Sequence, residues 1–123
     1  MNAFLIPKST ITGNGTGTAI EVTPGELLQL TLEILAVVEQ ESVEVRLEGS
    51  VDGETWLEKP LAAFPQKFYR GAWAIRVDLA AHADLRWVRA SWKTNRWGRG
   101  SLKPHFELYL FGESVASDAL DSK

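Results

Sequence analysis

The stretch "LLQLTLEI", Leu27 to Ile34, decides the fold of this chain. Leu28, Leu30, Leu32 and Ile34 recur at every second position, with Gln29, Thr31 and Glu33 between them. A strand sends successive side chains to opposite faces, so this run describes a strand with one face on a core and the other turned to solvent or a partner. A helix would need its apolar residues at spacings of three and four. The same device recurs along the chain. "SVEVRLEG" sets Val43, Val45 and Leu47 against Glu44, Arg46 and Glu48. "WAIRVDL" sets Trp73, Ile75, Val77 and Leu79 against Arg76 and Asp78. "RWVRASW" sets Val88, Ala90 and Trp92 against Trp87, Arg89 and Ser91. "HFELYLF" sets Phe106, Leu108 and Leu110 against Glu107 and Tyr109.

Turn chemistry separates these runs. "TPGE" (23–26) suits a type II turn, in which Pro24 fixes φ and Gly25 accepts a positive φ. "VDGE" (51–54) carries the Asp-Gly pair of a tight turn, and "GNGTG" (13–17) is a loop between two early strands. Within "DLAAHADLRW" there is room for one short helical turn around Ala80 to Ala83, and "LEILAVVEQE" (32–41) follows alternation that favours strand. Short antiparallel strands with Gly and Pro turns predict an all-β, single-domain, two-sheet β-sandwich of jelly-roll type. The expected core is Leu30, Leu32, Val45, Leu47, Ile75, Val77, Val88, Ala90, Leu108 and Leu110. Residues 17–112 form the expected sandwich. Residues 1–16 are either an arm for a neighbouring subunit or a first edge strand, and the small, acidic residues 113–123 are expected to be a mobile tail.

With 123 residues the chain suits one domain large enough to bury a core. It has no cysteine, which excludes disulfides and thiolate metal sites. Neither a charged start with a long apolar stretch nor a run of about 18 apolar residues is present. The expectation is therefore synthesis in the cytoplasm without a signal peptide, possible incorporation in a particle, and no membrane insertion. The net charge of −3 conceals a polarity. Residues 1–58 hold two basic and ten acidic side chains, residues 59–103 ten basic and two acidic, and residues 104–123 one basic and four acidic. Blocks of opposite sign either create opposed surface fields that steer association or pair side by side and cancel.

At "EGSVDGETW", Glu48 to Trp56, the chain resembles discoidin-like, galactose-binding-type β-sandwiches, including those used in phage tail and head proteins, where a strand runs into a Ser-x-Asp-Gly-x-x-Trp turn. "LRWVRASW" (85–92) and "FELYLFG" (106–112) are similar to later strands of the same domains. The resemblance spans about residues 43–112 through short motifs, and it implies a sandwich and, secondarily, carbohydrate binding. In the turn, Ser50 and Asp52 are expected to accept backbone N–H groups, Gly53 to take a positive φ, and Trp56 to fold back over the open end of the core.

Chemistry is sparse. The two histidines, His82 and His105, lie in different segments without metal-ligand spacing. There is no Gly-x-Ser-x-Gly, no His-Glu-x-x-His, and no Lys-Ser/Thr after "GNGTG" to make a phosphate loop. Glu39 with Glu41, and Glu44 with Glu48, read as solvated strand faces. A calcium site near Asp52 and Glu54 is conceivable, since such ions take clustered oxygen ligands, but the local ligand count is too low to assign one. No catalytic residue, metal or cofactor is expected. What stands out is aromatic and basic interleaving in "FPQKFYRGAW" (64–73) and "WVRASWKTNRWGRG" (87–100). Trp73 and Trp92 are assigned to the core. Arg96, Trp97, Arg99, Arg70, Trp87 and Arg89 are the candidate binding residues, with Trp97 between two Arg and beside Gly98 and Gly100. Arg and Trp are the usual anchors of protein interfaces, and cations over aromatic faces also suit sugars and single-stranded nucleic acid. The expected function is a non-enzymatic structural protein that self-associates or docks in a virion, tail or similar particle. The alternative is a carbohydrate-binding module. The acidic balance argues against nucleic acid.

Overall fold

The computed structural model describes residues 1–38, 40–97 and 104–115. The strands are β1 (Asn2–Ile11), β2 (Gly15–Thr16), β3 (Ile20–Glu21), β4 (Leu27–Val37), β5 (Glu41–Ser50), β6 (Ala62–Ala63), β7 (Gly71–Asp78), β8 (Trp87–Arg96) and β9 (Phe106–Val115). A 3-10 turn, Leu79–Ala81, follows β7, with the Asp78 carboxylate accepting the Ala80 N–H at its start. One sheet has the order β1-β9-β4-β7, and the other β2-β8-β5-β6 with β3 also on β8. All pairs are antiparallel. If β2 and β3 are read as two pieces of one interrupted strand, each sheet has four strands and the chain passes between the sheets in jelly-roll order.

The core lies between the sheets and follows the alternation. Leu28, Leu30, Leu32 and Ile34 of β4 are buried, as are Val43, Val45 and Leu47 of β5, Val88 and Ala90 of β8, and Phe106, Leu108 and Leu110 of β9. Ile75 and Trp73 are only half-buried, because β7 is the edge of its sheet and lacks a neighbour on one side. The "TPGE" turn forms as expected, with Gly25 at φ +82° and the Glu26 N–H donating to the Thr23 carbonyl at 3.2 Å.

Four details differ from the sequence reading or decide between its alternatives. The N-terminal segment is an edge strand of its own sandwich: β1 pairs with β9. It buries both Leu5 and Ile6, since a register shift between Phe4 and Ile6 interrupts the alternation. Glu113 to Val115 are not tail but the end of β9, paired with Leu27 to Gln29; residues 116–123 lie outside the described residues. Ser91 is buried on the outer side of its sheet, a small side chain between the register partners Arg46 and Thr16. The acidic and basic blocks meet in register, Glu44 opposite Lys93 and Glu48 opposite Arg89, so their charges cancel locally along β5 and β8.

Candidate functional site

Because β5 and β8 are antiparallel, Glu41 faces Arg96 at one end of the sandwich and Ser50 faces Trp87 at the other. Ten residues of strand span about 33 Å. The five described candidate residues therefore divide between two ends.

At the Trp87 end stands the turn 50–56. The Ser50 Oγ accepts the Gly53 N–H at 2.8 Å and donates to the Thr55 carbonyl at 2.6 Å. The Asp52 carboxylate accepts the N–H groups of Glu54 and Thr55 at 2.9 and 2.8 Å. The Thr55 and Glu54 N–H groups, with the Ser50 hydroxyl, hold the Asp52 carboxyl below the usual carboxylate range. Gly53 has φ +80°, and a Cβ there would meet the Trp87 ring at 3.2 Å. Gly53→Val combines a strained backbone with that ring contact, so it should cost about 1–3 kcal/mol, seen as a lower urea midpoint. Retention of the wild-type midpoint would show that the turn tolerates an ordinary backbone.

Trp56 does not close the core. It sits half-buried, with the Arg89 guanidinium carbon 4.2 Å from its ring centroid. Arg89 in turn donates through Nε to Glu48 Oε1 at 2.7 Å. Arg89 is an outward position of β8, so the tryptophan is drawn to the outer surface of the sheet by a cation–π contact. Trp87 and Arg89 thus support this turn, and neither lies near Trp97.

The other end carries Trp97, 45% exposed, directly after β8. Its N–H donates to the Gln40 carbonyl at 2.9 Å, which ties it to the β4–β5 connection. Gln40 has φ +62°, an uncommon conformation for a residue with a side chain. The loop after β6 runs back along β5, where Val43 and Lys67 exchange backbone hydrogen bonds of 3.0 and 2.9 Å. That brings Phe68 to 6.1 Å from Trp97 in an edge-to-face contact, with Tyr69 6.3 Å from Phe68. Phe68 and Tyr69 are 40% and 76% exposed. With Val37, Val38, Gln40 and Glu41 they enclose a cleft of about 370 Å³. Arg70 is exposed next to Tyr69, and Arg96 immediately precedes Trp97. Arg99 lies outside the described residues.

Behind this cleft Glu41 is 1% exposed. The solvated reading fails for it. Its two oxygens accept the Val38 N–H and the His105 N–H, each at 2.7 Å. The carboxylate joins the end of β4 to the start of β9 and fixes the cleft wall. Phe68, Tyr69 and Glu41 are the members of this site that the sequence reading did not select. Glu41 left a signal: it continues the inward phase of Val43, Val45 and Leu47.

Among the described residues, no three His, Asp or Glu side chains gather as a metal site, and no helix is long and apolar enough to cross a membrane. The sequence matches no protein-family model, and no curated protein matches it.

Proposed function

We propose that the chain is a non-enzymatic assembly subunit, of the kind that builds a virion, a tail or a similar particle, and that it contacts further copies of itself end to end. One observation carries this reading: the two ends of the sandwich differ in charge, and the basic end carries the exposed aromatic cluster. Among the described residues, Lys67 and Arg70 in the loop beside Trp97 and Arg96 at the end of β8 stand at this end against the buried Glu41. The opposite end exposes Asp52, Glu54, Glu58, Asp78 and Asp84 against Lys59 and Arg86. Charge cancels along the paired strands but not in the loops. Complementary ends on one subunit make heterologous contacts, which close into rings or extend into filaments. Trp97 and Phe68 supply the apolar area, and Arg70 the charge-assisted hydrogen bonds.

The test uses two double variants at exposed side chains, each checked for an unchanged far-ultraviolet spectrum. Trp97→Ala with Arg70→Glu disables the basic end, and Glu54→Lys with Glu58→Lys disables the acidic end. Each should abolish assemblies larger than a dimer in light scattering at native salt. Mixing the two should restore one end-to-end contact through the intact ends. Large assemblies that persist in both variants would sink the reading. A carbohydrate-binding module is the second reading, supported by three aromatic rings around the cleft. It is favoured if wild-type protein stays monomeric and a glycan array gives binding that Trp97→Ala removes.

A further inference from the structure

The outer face of the sheet β1-β9-β4-β7 has a layout that the end-to-end contacts do not use. The registers place Phe4, Phe111, Thr31 and Ala74 in one row across all four strands. Phe4 is 51% exposed, and its ring meets Phe111 at 4.9 Å and Tyr109 at 5.7 Å, both edge-on. The rows on either side are polar. One holds Glu113, Gln29 and Arg76; the other holds Tyr109, Glu33 and Ala72, with Lys8 beside Tyr109 and Phe4 on the same cleft. An apolar centre between polar margins is the layout of a protein interface.

The arrangement is self-complementary, and we infer that this face is an isologous interface between two copies of the chain. Consider two faces packed with a two-fold axis along the Phe4–Ala74 row. Each flanking row then lies over the opposite flanking row of its mate. Gln29 and Arg76 come to the partner's Glu33, and Glu113 comes to the partner's Lys8. Glu33 and Glu113 each meet a donor, and no two like charges in these rows are opposed, which is the pattern that selects a register between surfaces. Within the monomer, the Tyr109 hydroxyl already donates to Glu33 at 2.6 Å and Arg76 Nε to Gln29 at 3.2 Å. Those bonds hold the polar side chains in place before contact. The hydrogen bond to Glu33 also raises the Tyr109 pKa, so its hydroxyl stays protonated and keeps Glu33 in place. Four strands about 4.8 Å apart, with about ten residues each at about 3.3 Å, give a face of roughly 600 Å². Two such faces bury about 1,200 Å², above the roughly 1,000 Å² that a specific interface needs.

This contact rests on the assembly reading but uses a different face, so the two are tested separately. The full chain carrying Trp97→Ala and Arg70→Glu, which cannot grow end to end, is followed by sedimentation equilibrium across concentration. A monomer–dimer equilibrium is expected. Adding Phe4→Glu should leave only monomer with an unchanged far-ultraviolet spectrum. Arg76→Glu alone and Glu33→Arg alone should each weaken the dimer by about tenfold or more, and their combination should restore it, because the pair spans the axis. Monomer at every concentration in the end variant, while wild type still assembles, would overturn the sheet-face dimer and leave the end contact standing. Wild-type dimers that grow no further and are lost with Phe4→Glu would support the sheet-face dimer and overturn the end contact. A dimer indifferent to Phe4→Glu and to the charge exchange would overturn the inference.

Discussion

Replacing Phe106 with alanine should cost about 3–5 kcal/mol, the usual loss for a buried aromatic truncated in a packed core. Phe106 is fully buried and opens β9, the strand that joins β1 to β4. Ile11 and Val37 are its register partners on the two sides, and both belong to long strands that cannot slip inward without breaking their ladders. The cavity would therefore stay largely open, and the loss would sit near the upper end of the range. A domain of this size has about 5–15 kcal/mol of stability in total, so a third or more is at stake. Urea denaturation reads it as a fall in midpoint at nearly constant slope. An unchanged midpoint would remove Phe106 from the core and with it the inward packing of the start of β9.

Phe106 was readable because alternation reports burial wherever a strand has neighbours on both sides and one face on the core. Leu28 to Ile34 and Leu108 with Leu110 obey it without exception. The rule weakens for reasons that are local. Ile75 lies on an edge strand, and Leu5 with Ile6 spans a register shift, where one added residue reverses the phase. Gly53 was legible from turn chemistry alone, since few residues accept its backbone angle. Trp56 was not. Its position depends on Arg89, which is 33 positions away, and on the pairing of β5 with β8.

The aromatic site was legible in one member only. Trp97 stood out by its neighbours in sequence. Phe68 and Tyr69 reach it because the loop after β6 lies along β5 at Val43, a pairing that no periodicity encodes. The charge pattern shows the same limit. Composition shows acidic and basic blocks, but only strand pairing shows which charges cancel along β5 and β8 and which remain in the loops at the two ends.

Glu41→Ala should destabilise the protein by about 2–4 kcal/mol, and it should disturb the cleft more than the core. The carboxylate is the acceptor for two backbone N–H groups, Val38 and His105. Hydrogen bonds to a charged group contribute about 1.5–3 kcal/mol each, and a buried donor left without an acceptor costs a similar amount. Val38 and His105 are themselves exposed, so water recovers part of that loss. This keeps the expected figure below the simple sum. Glu41→Gln should fall between wild type and alanine: the amide oxygen still accepts one N–H, while the amide NH₂ faces the other donor. The structural consequence follows from Gln40, the preceding residue. Its strained backbone is held between the Glu41 carboxylate anchor and the bond from the Trp97 N–H to its carbonyl. Without the anchor, the connection relaxes and Trp97 loses its fixed position beside Phe68. Hydrogen exchange should then quicken at the Val38, Trp97 and His105 amides, while the Leu30 and Leu32 amides in β4 quicken only as far as the fall in global stability requires. The proposed assembly through the basic end should weaken as exchange at Trp97 quickens. If Glu41→Ala leaves all three amides protected, the carboxylate does not hold the cleft, and the burial of Glu41 needs another cause.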